Sequence, residues 1–403
     1  MSPNNDLRSA VPFIPTAFHR LLEPLNGRFL RGVVARHDGN RGVGEKPGAW
    51  TCERHLKTLL FAQFAGLQSL REIEQALSSQ PRALYHLGLR RPCRTTLSDA
   101  SAHRPLGVFK DLCEQFIAQA GRQSRLEGNA LIRLLDASPI ALRDNRFGWA
   151  EADARCRGLK MHVLYDPRAV QPVHFAVTSP LVGDLTGARE ITIERGITYV
   201  FDKGYTDYSW WRAIFEAGAF FVTRLKRNVH RREVVPQTAV GQNIIAEQHL
   251  KLGHKVPRGG AKNALYDTPL REIVVARAGK SDMYLITNDL TRSAEEIAAL
   301  YKERWQIELF FKWIKQNLKI TRFLGRSENA VKMQIYVALI AFFLLRMFQQ
   351  GPASSHKAGA KALMARLKVV LLHKFDLTNR EKPPPQAPGK RPPNPQLNLA
   401  LAA

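Results

Sequence analysis

The chain has 403 residues, of which 45% are hydrophobic, and this length is enough for two or three domains with cores of their own. Its 60 lysines and arginines against 35 aspartates and glutamates give a formal net charge of +25. Such an excess of cations favours a nucleic-acid partner over a small neutral substrate. Attachment to an acidic membrane ranks lower, because the sequence has no polybasic tail beside a lipid anchor.

The cysteines and the apolar runs favour a reducing cytosol and no membrane. The four cysteines lie far apart without a C-x-x-C pair, so they predict neither a zinc site nor a disulfide framework. The N-terminus lacks a basic-then-apolar signal. The longest apolar run, at 335–345, is too short to span a bilayer and is typical of a core helix.

Residues from about 14 to 120 have apolar side chains at helical spacing and predict a helical region. Ser69 and Glu72 form a capping box, and a further helix starts at Arg94 and runs toward Gly121. The turns of this region carry arginines at four positions: Arg82, Arg90, Arg91 and Arg94. Two interpretations stay open, a DNA-binding domain of the helix-turn-helix kind or an ordinary helical bundle with a charged surface.

Near residue 129 the pattern changes to short runs that are typical of strands. The runs predict three antiparallel strands, then a strand, a helix and a strand, at 131–135, 159–165, 172–178, 197–201, 209–217 and 219–225. Asp136 and Asp202 each come directly after a predicted strand. The segment therefore predicts a mixed α/β layer with an acid at the end of two strands.

The next stretch, 226–289, is irregular and basic with some strand character, and it predicts a β-rich insertion. Towards the C-terminus, an apolar helix is predicted over 331–348 and a basic amphipathic piece over 357–374. The Pro-rich, basic tail from Arg380 predicts a disordered or extended segment.

Between these segments, 293–318 predicts one long helix that opens with a capping box of Ser293 and Glu296. Four residues follow at steps of three, four and seven and fall within roughly 60° of arc on one stripe: Tyr301, Arg304, Glu308 and Lys315. Spacing alone leaves two interpretations. The stripe is either a salt-bridged helix face or a metal-binding Glu308 flanked by cations that hold a polyanion.

Three acids are candidates for catalysis: Asp136, Asp202 and Glu308. Carboxylates with two hard divalent cations perform phosphoryl transfer, because one ion activates the attacking oxygen and the other stabilises the leaving oxygen. Each acid also has a plainer interpretation, since an aspartate at a strand end commonly forms a turn or caps a helix. Their joint arrangement on two strands and a helix favours the catalytic interpretation.

The stripe matches a Y-x2-R-x3-E-x6-K signature, and the chain resembles the bacterial insertion-sequence DDE transposases of family four, which include the transposase of transposon Tn-five. The segments LLDAS around Asp136 and VFDKGYTDY around Asp202 are similar to the two aspartate motifs of that family. The helical region with TTLSDA at 95–100 resembles its N-terminal DNA-binding part. The resemblance covers nearly the whole chain.

The resemblance implies an α/β fold, with a ribonuclease-H-like catalytic core and a β-rich insertion, preceded by an α-helical DNA-binding domain. The implied parts are a helical DNA-binding domain, the first part of the core, the β-rich insertion, the second part of the core with the catalytic helix, and a basic C-terminal helix with its tail, at 1–125, 126–225, 226–290, 291–350 and 351–403.

The same resemblance implies the roles of the site residues. Asp136, Asp202 and Glu308 would bind two Mg²⁺ ions, with Mn²⁺ able to substitute. The other members of the stripe would contact phosphates of the transposon end: Tyr301, Arg304 and Lys315. Lys203 is a further candidate for a phosphate contact, with a solvated surface lysine as the alternative.

The implied function is cut-and-paste transposition of an insertion sequence, by metal-dependent cleavage of the DNA ends and strand transfer. The implied partners are double-stranded DNA, as terminal inverted repeats and target, and a second copy of the chain in a synaptic complex. The implied location is the bacterial cytoplasm, at the nucleoid, without a membrane. Two alternatives stay open: a catalytically inactive DNA-binding regulator derived from a transposase, and a general ribonuclease-H-like nuclease.

Three aromatic residues near these motifs carry plainer expectations. Trp210 and Trp211 follow the second aspartate, and we expect both in the core. His162 lies on a predicted strand, and we expect a structural role for it in preference to metal binding.

Overall fold

The computed structural model describes residues 15–25, 27–44, 46, 48–126, 131–142, 146–153, 156–226, 229–239, 241–252, 268–317, 322–350 and 360–373. The Pro-rich tail predicted from Arg380 lies outside these residues, as do the first and last parts of the piece predicted over 357–374.

The N-terminal part is helical, as predicted. Its helices in the described residues are α1 (Ala17–Leu22), α2 (Gly27–Arg36), α3 (Cys52–Ala65), α4 (Leu70–Ser78), α5 (Pro81–His86), α6 (Arg94–His103) and α7 (Leu106–Leu126). The Ser69 hydroxyl accepts a hydrogen bond from the Glu72 backbone N–H, which fixes the start of α4. The helix predicted from Arg94 is in fact two, because Pro105 holds the preceding Arg104 in an extended conformation.

The remaining helices alternate with strands or follow them. They are α8 (Asp184–Arg189), α9 (Tyr208–Glu216), α10 (Ala294–Glu303), α11 (Trp305–Asn317), α12 (Glu328–Gln350) and α13 (Ala360–Val370). The strands are β1 (Ile132–Ala141), β2 (Gly158–Asp166), β3 (Gln171–Thr178), β4 (Thr198–Phe201), β5 (Phe220–Arg224), β6 (Arg231–Gln237), β7 (Ile244–Leu252), β8 (Leu270–Arg277) and β9 (Lys280–Thr287).

All nine of these strands belong to one sheet, in the order β3-β2-β1-β4-β5-β9-β8-β7-β6. β1, β2 and β3 pair antiparallel, whereas β4 is parallel to β1 and β5 is parallel to β4. The prediction of a mixed α/β layer is confirmed, including its three antiparallel strands.

The predicted β-rich insertion continues this sheet. β9 pairs antiparallel with β5, with Val222 opposite Thr287, and β8, β7 and β6 follow outward in that order. The insertion therefore satisfies the backbone groups along the open side of β5, which would otherwise be a sheet edge.

The long helix predicted over 293–318 is broken at Arg304 into α10 and α11. The capping box is present, since Ser293 and Glu296 bond to each other's backbone N–H. At the break, the Arg304 N–H donates to the Tyr301 carbonyl at 3.2 Å and the Ile307 N–H donates to the Arg304 carbonyl at 3.3 Å. These bonds span three residues instead of four, so the chain tightens locally into a 3₁₀-like turn.

Helix α12 joins the N-terminal helices to the sheet through one hydrophobic core. Phe343 of α12 stacks on Phe116 of α7 with ring centroids 6.0 Å apart, and Phe342 packs against Phe310 of α11. By length and composition α12 could cross a membrane, but 78% of its apolar window is buried inside the protein. A second core lies on the other side of the sheet and contains Trp210 and Trp211, which confirms that both are core aromatics.

Candidate active site

Asp136 lies within β1 and does not end it. β1 continues to Ala141, and Asp136 pairs with Val163 of β2. The prediction of a strand-end aspartate is therefore wrong for this residue. On the other side, β4 accompanies β1 only as far as the pair Leu135 and Phe201, so β1 loses one neighbour at Asp136. This gap in the sheet leaves the Asp136 side chain 23% exposed, beside a stretch of β1 that has a neighbouring strand on one side only.

Asp202 comes directly after β4, as predicted, and starts the 3₁₀ turn Lys203–Tyr205. Leu135 of β1 and Phe201 of β4 are partners on parallel strands. Asp136 and Asp202 are therefore the next residues along two neighbouring segments of the chain. Neighbouring strands lie about 4.8 Å apart, so this register brings the two aspartates side by side.

Glu308 reaches the same place from the first turn of α11, which packs on β1. Its carboxylate pairs with Arg304, at 2.5 Å between Oε1 and Nη2. The other terminal nitrogen of that guanidinium lies 4.0 Å from Oδ2 of Asp136. Arg304 therefore lies between the two carboxylates as a positive charge.

The electrostatics of Asp136 show that the three acids share one environment. Burial raises the pKa of Asp136 to about 6, and the negative charges of Glu308 and Asp202 act in the same direction. The Ala137 backbone N–H and the charge of Arg304 oppose this rise. The structure thus brings the three predicted acids together.

Arg304 is the positive charge that two of these carboxylates face. Within the described ranges, no three His, Cys, Asp or Glu side chains are grouped closely enough to hold a metal ion. The guanidinium, whose side chain is 18% exposed, binds Glu308 and faces Asp136. The cation that these two carboxylates face is therefore supplied by the chain itself.

Two further members of the predicted stripe lie around the acids. The Lys315 ammonium donates a hydrogen bond to the Ser138 hydroxyl at 2.7 Å, two residues beyond Asp136 on β1. Burial lowers the pKa of Lys315. Tyr301 is buried, with its ring 5.9 Å from the Arg304 guanidinium carbon, and burial raises the pKa of its phenol. Although the helix breaks at Arg304, the four residues of the stripe still face the same region, which is β1 and the turn after β4.

The structure places Lys203 and His162 differently. Lys203 lies exposed at the rim of the site, directly after Asp202. His162 is 1% exposed and its Nε2 lies 2.9 Å from the Thr178 hydroxyl of the neighbouring strand β3. The imidazole is thus a core group, in agreement with the expected structural role.

Three residues near the acids were missed by sequence reasoning. Ser138 could have been found, because alternate residues of a strand share a face and it stands two after Asp136. Tyr205 is 2% exposed, and the charges of Asp136 and Asp202 help burial to raise the pKa of its phenol. Trp305 is 58% exposed at the helix break, which periodicity could not foresee.

Comparisons with known proteins identify the family of the chain. Residues 127–344, more than half of the chain, match the family model of the transposase DDE domain, and residues 15–90 match a domain of unknown function (DUF4372). A putative transposase of Sinorhizobium fredii is 42% identical over 309 residues, which cover 75% of this chain and 84% of that protein.

Two further similarities concern an insertion sequence and a solved structure. A probable transposase for insertion sequence element IS5377 of Geobacillus stearothermophilus is 29% identical over 270 residues, 64% of this chain and 68% of that protein. A piggyBac transposase, solved in a synaptic complex with hairpin DNA, is 11% identical with a TM-score of 0.49 and covers 92% of this chain and 83% of that chain. From the family model and the sequence relatives, the chain belongs to the DDE transposases, which use divalent metal ions to cleave DNA and transfer its strands.

Proposed function

We propose that this chain moves an insertion sequence by cut and paste, cleaving double-stranded DNA at the terminal inverted repeats and joining the free 3′-OH ends to target DNA. The observation that carries the proposal is the pairing of Leu135 with Phe201, after which Asp136 and Asp202 are neighbours. The ion pair between Arg304 and Glu308, directed at Asp136, adds the third acid.

The catalytic core is proposed to be ribonuclease-H-like. Support comes from the order β3-β2-β1-β4-β5, in which the first three strands are antiparallel and the next two run parallel to β1. In this proposal the stretch 226–290 is an insertion into the core and the first 125 residues are the DNA-binding part.

The ions are proposed to be two Mg²⁺, with Mn²⁺ able to substitute, held by Asp136, Asp202 and Glu308. Carboxylate oxygens are the hard donors that these ions prefer, and the Arg304 guanidinium already stands as a cation between two of the acids. When bound, such ions activate an attacking oxygen and stabilise a leaving one.

The chain's own cations are proposed to hold the DNA end. Once Arg304 leaves Glu308, its guanidinium is free to bind a phosphate in a bidentate manner. Lys315 and Tyr301 bind further phosphate oxygens from the same side of α10 and α11, and Lys203 does so from the rim. A second copy of the chain pairs the two ends as a homodimer, in the cytoplasm at the nucleoid.

The test is an assay for end cleavage and strand transfer with the full chain, Mg²⁺ and a duplex carrying the terminal repeats that flank this coding region. Glu308→Gln keeps the shape of the side chain but removes its charge, and we expect activity to fall about a thousandfold. The matched control is Glu328→Gln at the start of α12, whose exposed carboxylate pairs with Lys332 at 2.5 Å.

The outcomes separate the alternatives. If Glu308→Gln keeps wild-type activity, Glu308 has no catalytic role. Tight binding of the repeats without Mg²⁺-dependent nicking would favour the inactive regulator, and cleavage without preference for the repeats would favour a general nuclease.

A further inference from the structure

A groove of about 740 Å³ lies between the N-terminal helices and the segments that follow the proposed catalytic elements. Four arginines line it: Arg71, Arg94, Arg146 and Arg326. Of the described residues on its lining, Glu74 alone is acidic, and its carboxylate pairs with Arg94 at 3.0 Å. This four-arginine groove is therefore net positive, and it suits a polyanion.

The far wall of the groove belongs to the catalytic half of the chain. Arg146 and Phe147 come soon after β1, which carries Asp136, and Phe323 and Arg326 come soon after α11, which carries Glu308. The rings of Phe147 and Phe323 pack edge to face with centroids 6.4 Å apart, which joins the two segments. A ligand in the groove consequently touches both chain segments that leave the active site.

The near wall continues onto the outward face of α6. A second, shallow depression has a volume of about 580 Å³. It is lined only by residues of this helix: Thr95, Thr96, Ser98, Asp99, Ala102 and His103. Thr95 and Ser98 line both surfaces, so the two are continuous. These side chains are short and mostly polar, which lets another surface come close to the helix and offers hydrogen-bonding groups to it.

Helix α6 is firmly held on its inward face. Leu97 is fully buried, and the Ser101 hydroxyl lies 3.1 Å from His55 of α3. The side-chain amide of Asn329 on α12 donates to the carbonyls of Ser101 and Arg104, at 3.0 and 2.9 Å. The helix therefore presents its polar face from a rigid support, as recognition by a helix requires.

We propose that the outward face of α6 reads base edges of the terminal repeat in the major groove, while the four-arginine groove holds the phosphate backbone next to that site. An α-helix with its side chains is about 10–12 Å across, and the major groove is about 12 Å wide, so the groove admits a helix such as α6. In this arrangement the groove that holds the backbone lies between the helix that reads the sequence and the segments that follow β1 and α11. This inference rests on the proposed function, because it takes the duplex end as the ligand.

The first test measures binding of the full chain by fluorescence anisotropy at several salt concentrations. The probes are a duplex with the flanking terminal repeat and a shuffled duplex of the same composition. We expect Arg71→Gln and Arg326→Gln each to weaken the binding of both duplexes equally. Each should also lower the slope of log K against log salt concentration by about 1, because each removes one phosphate contact. The matched control is Arg168→Gln, an exposed arginine in the turn between β2 and β3, at the Ile132 end of β1, whereas Arg146 of the groove follows the opposite, Ala141 end.

The second test concerns sequence preference. The double variant Thr96→Ala with Ser98→Ala should lose about tenfold or more of the preference for the repeat and keep the wild-type salt slope, because it removes two neutral hydrogen-bonding groups and leaves the charge unchanged. Both side chains are exposed, so this change leaves the fold intact, as a melting curve will check.

A thiol probe fixes the position of the duplex. Cys93 is exposed at the start of α6, whereas Cys52 and Cys113 are buried and Cys156 is partly buried. A repeat duplex that carries a disulfide-linked tether on one base should react with the Cys93 thiolate, which displaces the tether's small thiol and forms the new protein–DNA disulfide. Cys93→Ser should abolish this crosslink.

The results separate this inference from the proposed function. Any one of three results would overturn the proposed DNA-binding surface. They are a wild-type salt slope in both arginine variants, an unchanged preference for the repeat in the double variant, and a crosslink that does not depend on the position of the tether. Loss of cleavage by the wild-type chain overturns the function alone, because the binding and crosslinking measurements still decide the surface. Binding of an acidic peptide in place of DNA would also overturn it.

Discussion

Arg304 is the cation that two carboxylates of this site face. It lies at the break between α10 and α11, where its side chain reaches both Glu308 and Asp136. A partly buried cluster of three carboxylates without a cation would be costly, since like charges in a poorly hydrated place repel strongly. The guanidinium offsets that repulsion, and we expect it to compete with a divalent ion for Glu308.

Arg304→Gln should therefore raise the affinity for divalent ions in the absence of DNA. The bond from the guanidinium to Glu308 is partly exposed to solvent, so its removal is worth about 1 kcal/mol, or roughly fivefold in Kd. Calorimetric titration of the full chain with Mn²⁺ measures this. Lys302→Gln removes an exposed positive charge two residues earlier and should leave the titration unchanged. Weaker binding by Arg304→Gln would show that the guanidinium supports the ion site.

The pKa of Asp136 predicts how stability depends on pH. Burial raises this pKa to about 6, above the value of about 3.9 in an unfolded chain. Between these values the folded state keeps a proton that the unfolded state has lost, so the free energy of unfolding falls as pH rises from about 4 to about 6.

Asp136→Asn should therefore stabilise the protein at pH 7 by on the order of 2 kcal/mol and change it little at pH 4. Urea unfolding with metal chelated, at both pH values, measures the difference. Added Mg²⁺ should then stabilise the wild-type chain at pH 7 more than the variant. A variant that is less stable than wild type at pH 7 would contradict the charged, buried setting of this carboxyl.

At the scale of elements, α6 depends on a clamp from a helix that is remote in sequence. Asn329 satisfies the carbonyls of Ser101 and Arg104, near the end of α6, where a helix leaves backbone acceptors without partners. Pro105 ends the helix there, and the clamp fixes how the two helices cross. Local sequence thus sets the length of α6, and tertiary contacts set its position.

Asn329→Ala should lower the free energy of unfolding by about 1–2 kcal/mol, because it leaves two partly buried carbonyls without donors. Thermal and urea unfolding of the full chain measure this. Lys332→Ala on the same helix loses only a partly exposed pair with Glu328 and should cost much less. Equal losses in the two variants would show that the clamp contributes nothing beyond general packing.

At the scale of the whole molecule, the N-terminal helices and the sheet are packed on one core. Side chains of α1 to α7, of one face of the sheet and of α10 to α13 belong to the same buried cluster. Phe343, at 2% exposure, links α12 to Phe116 of α7. The division at residue 125 stays a prediction about function, because the hydrophobic contacts cross it.

Phe343→Ala should therefore destabilise both halves together, by about 3–5 kcal/mol for the loss of a buried ring. Tryptophan fluorescence and far-UV circular dichroism should still report one coincident urea transition. Val369→Ala, on the exposed side of α13, should change stability by no more than about 0.5 kcal/mol. Two separated transitions in the Phe343 variant would show independent domains.

The sequence by itself determined the features that local rules govern. Ser69 and Ser293 each cap a helix by accepting a hydrogen bond from the backbone N–H three residues later, and the full capping box forms at Ser293. Alternating and apolar runs marked the first five strands, and the apolar run at 331–348 marked α12 as a core helix. The four-residue stripe and the two aspartate motifs led to the family, which the comparisons show.

Only the tertiary structure decided how these pieces meet. The position of Asp136 inside β1 depends on where β4 stops pairing with it, and the strands after residue 226 joined the core sheet because β5 offered a free side. Arg304 stands between two acids because α11 packs on β1, and the helix breaks at that residue. Each of these outcomes arises from contacts between residues far apart in the chain. The spacing of residues within one segment does not predict such contacts.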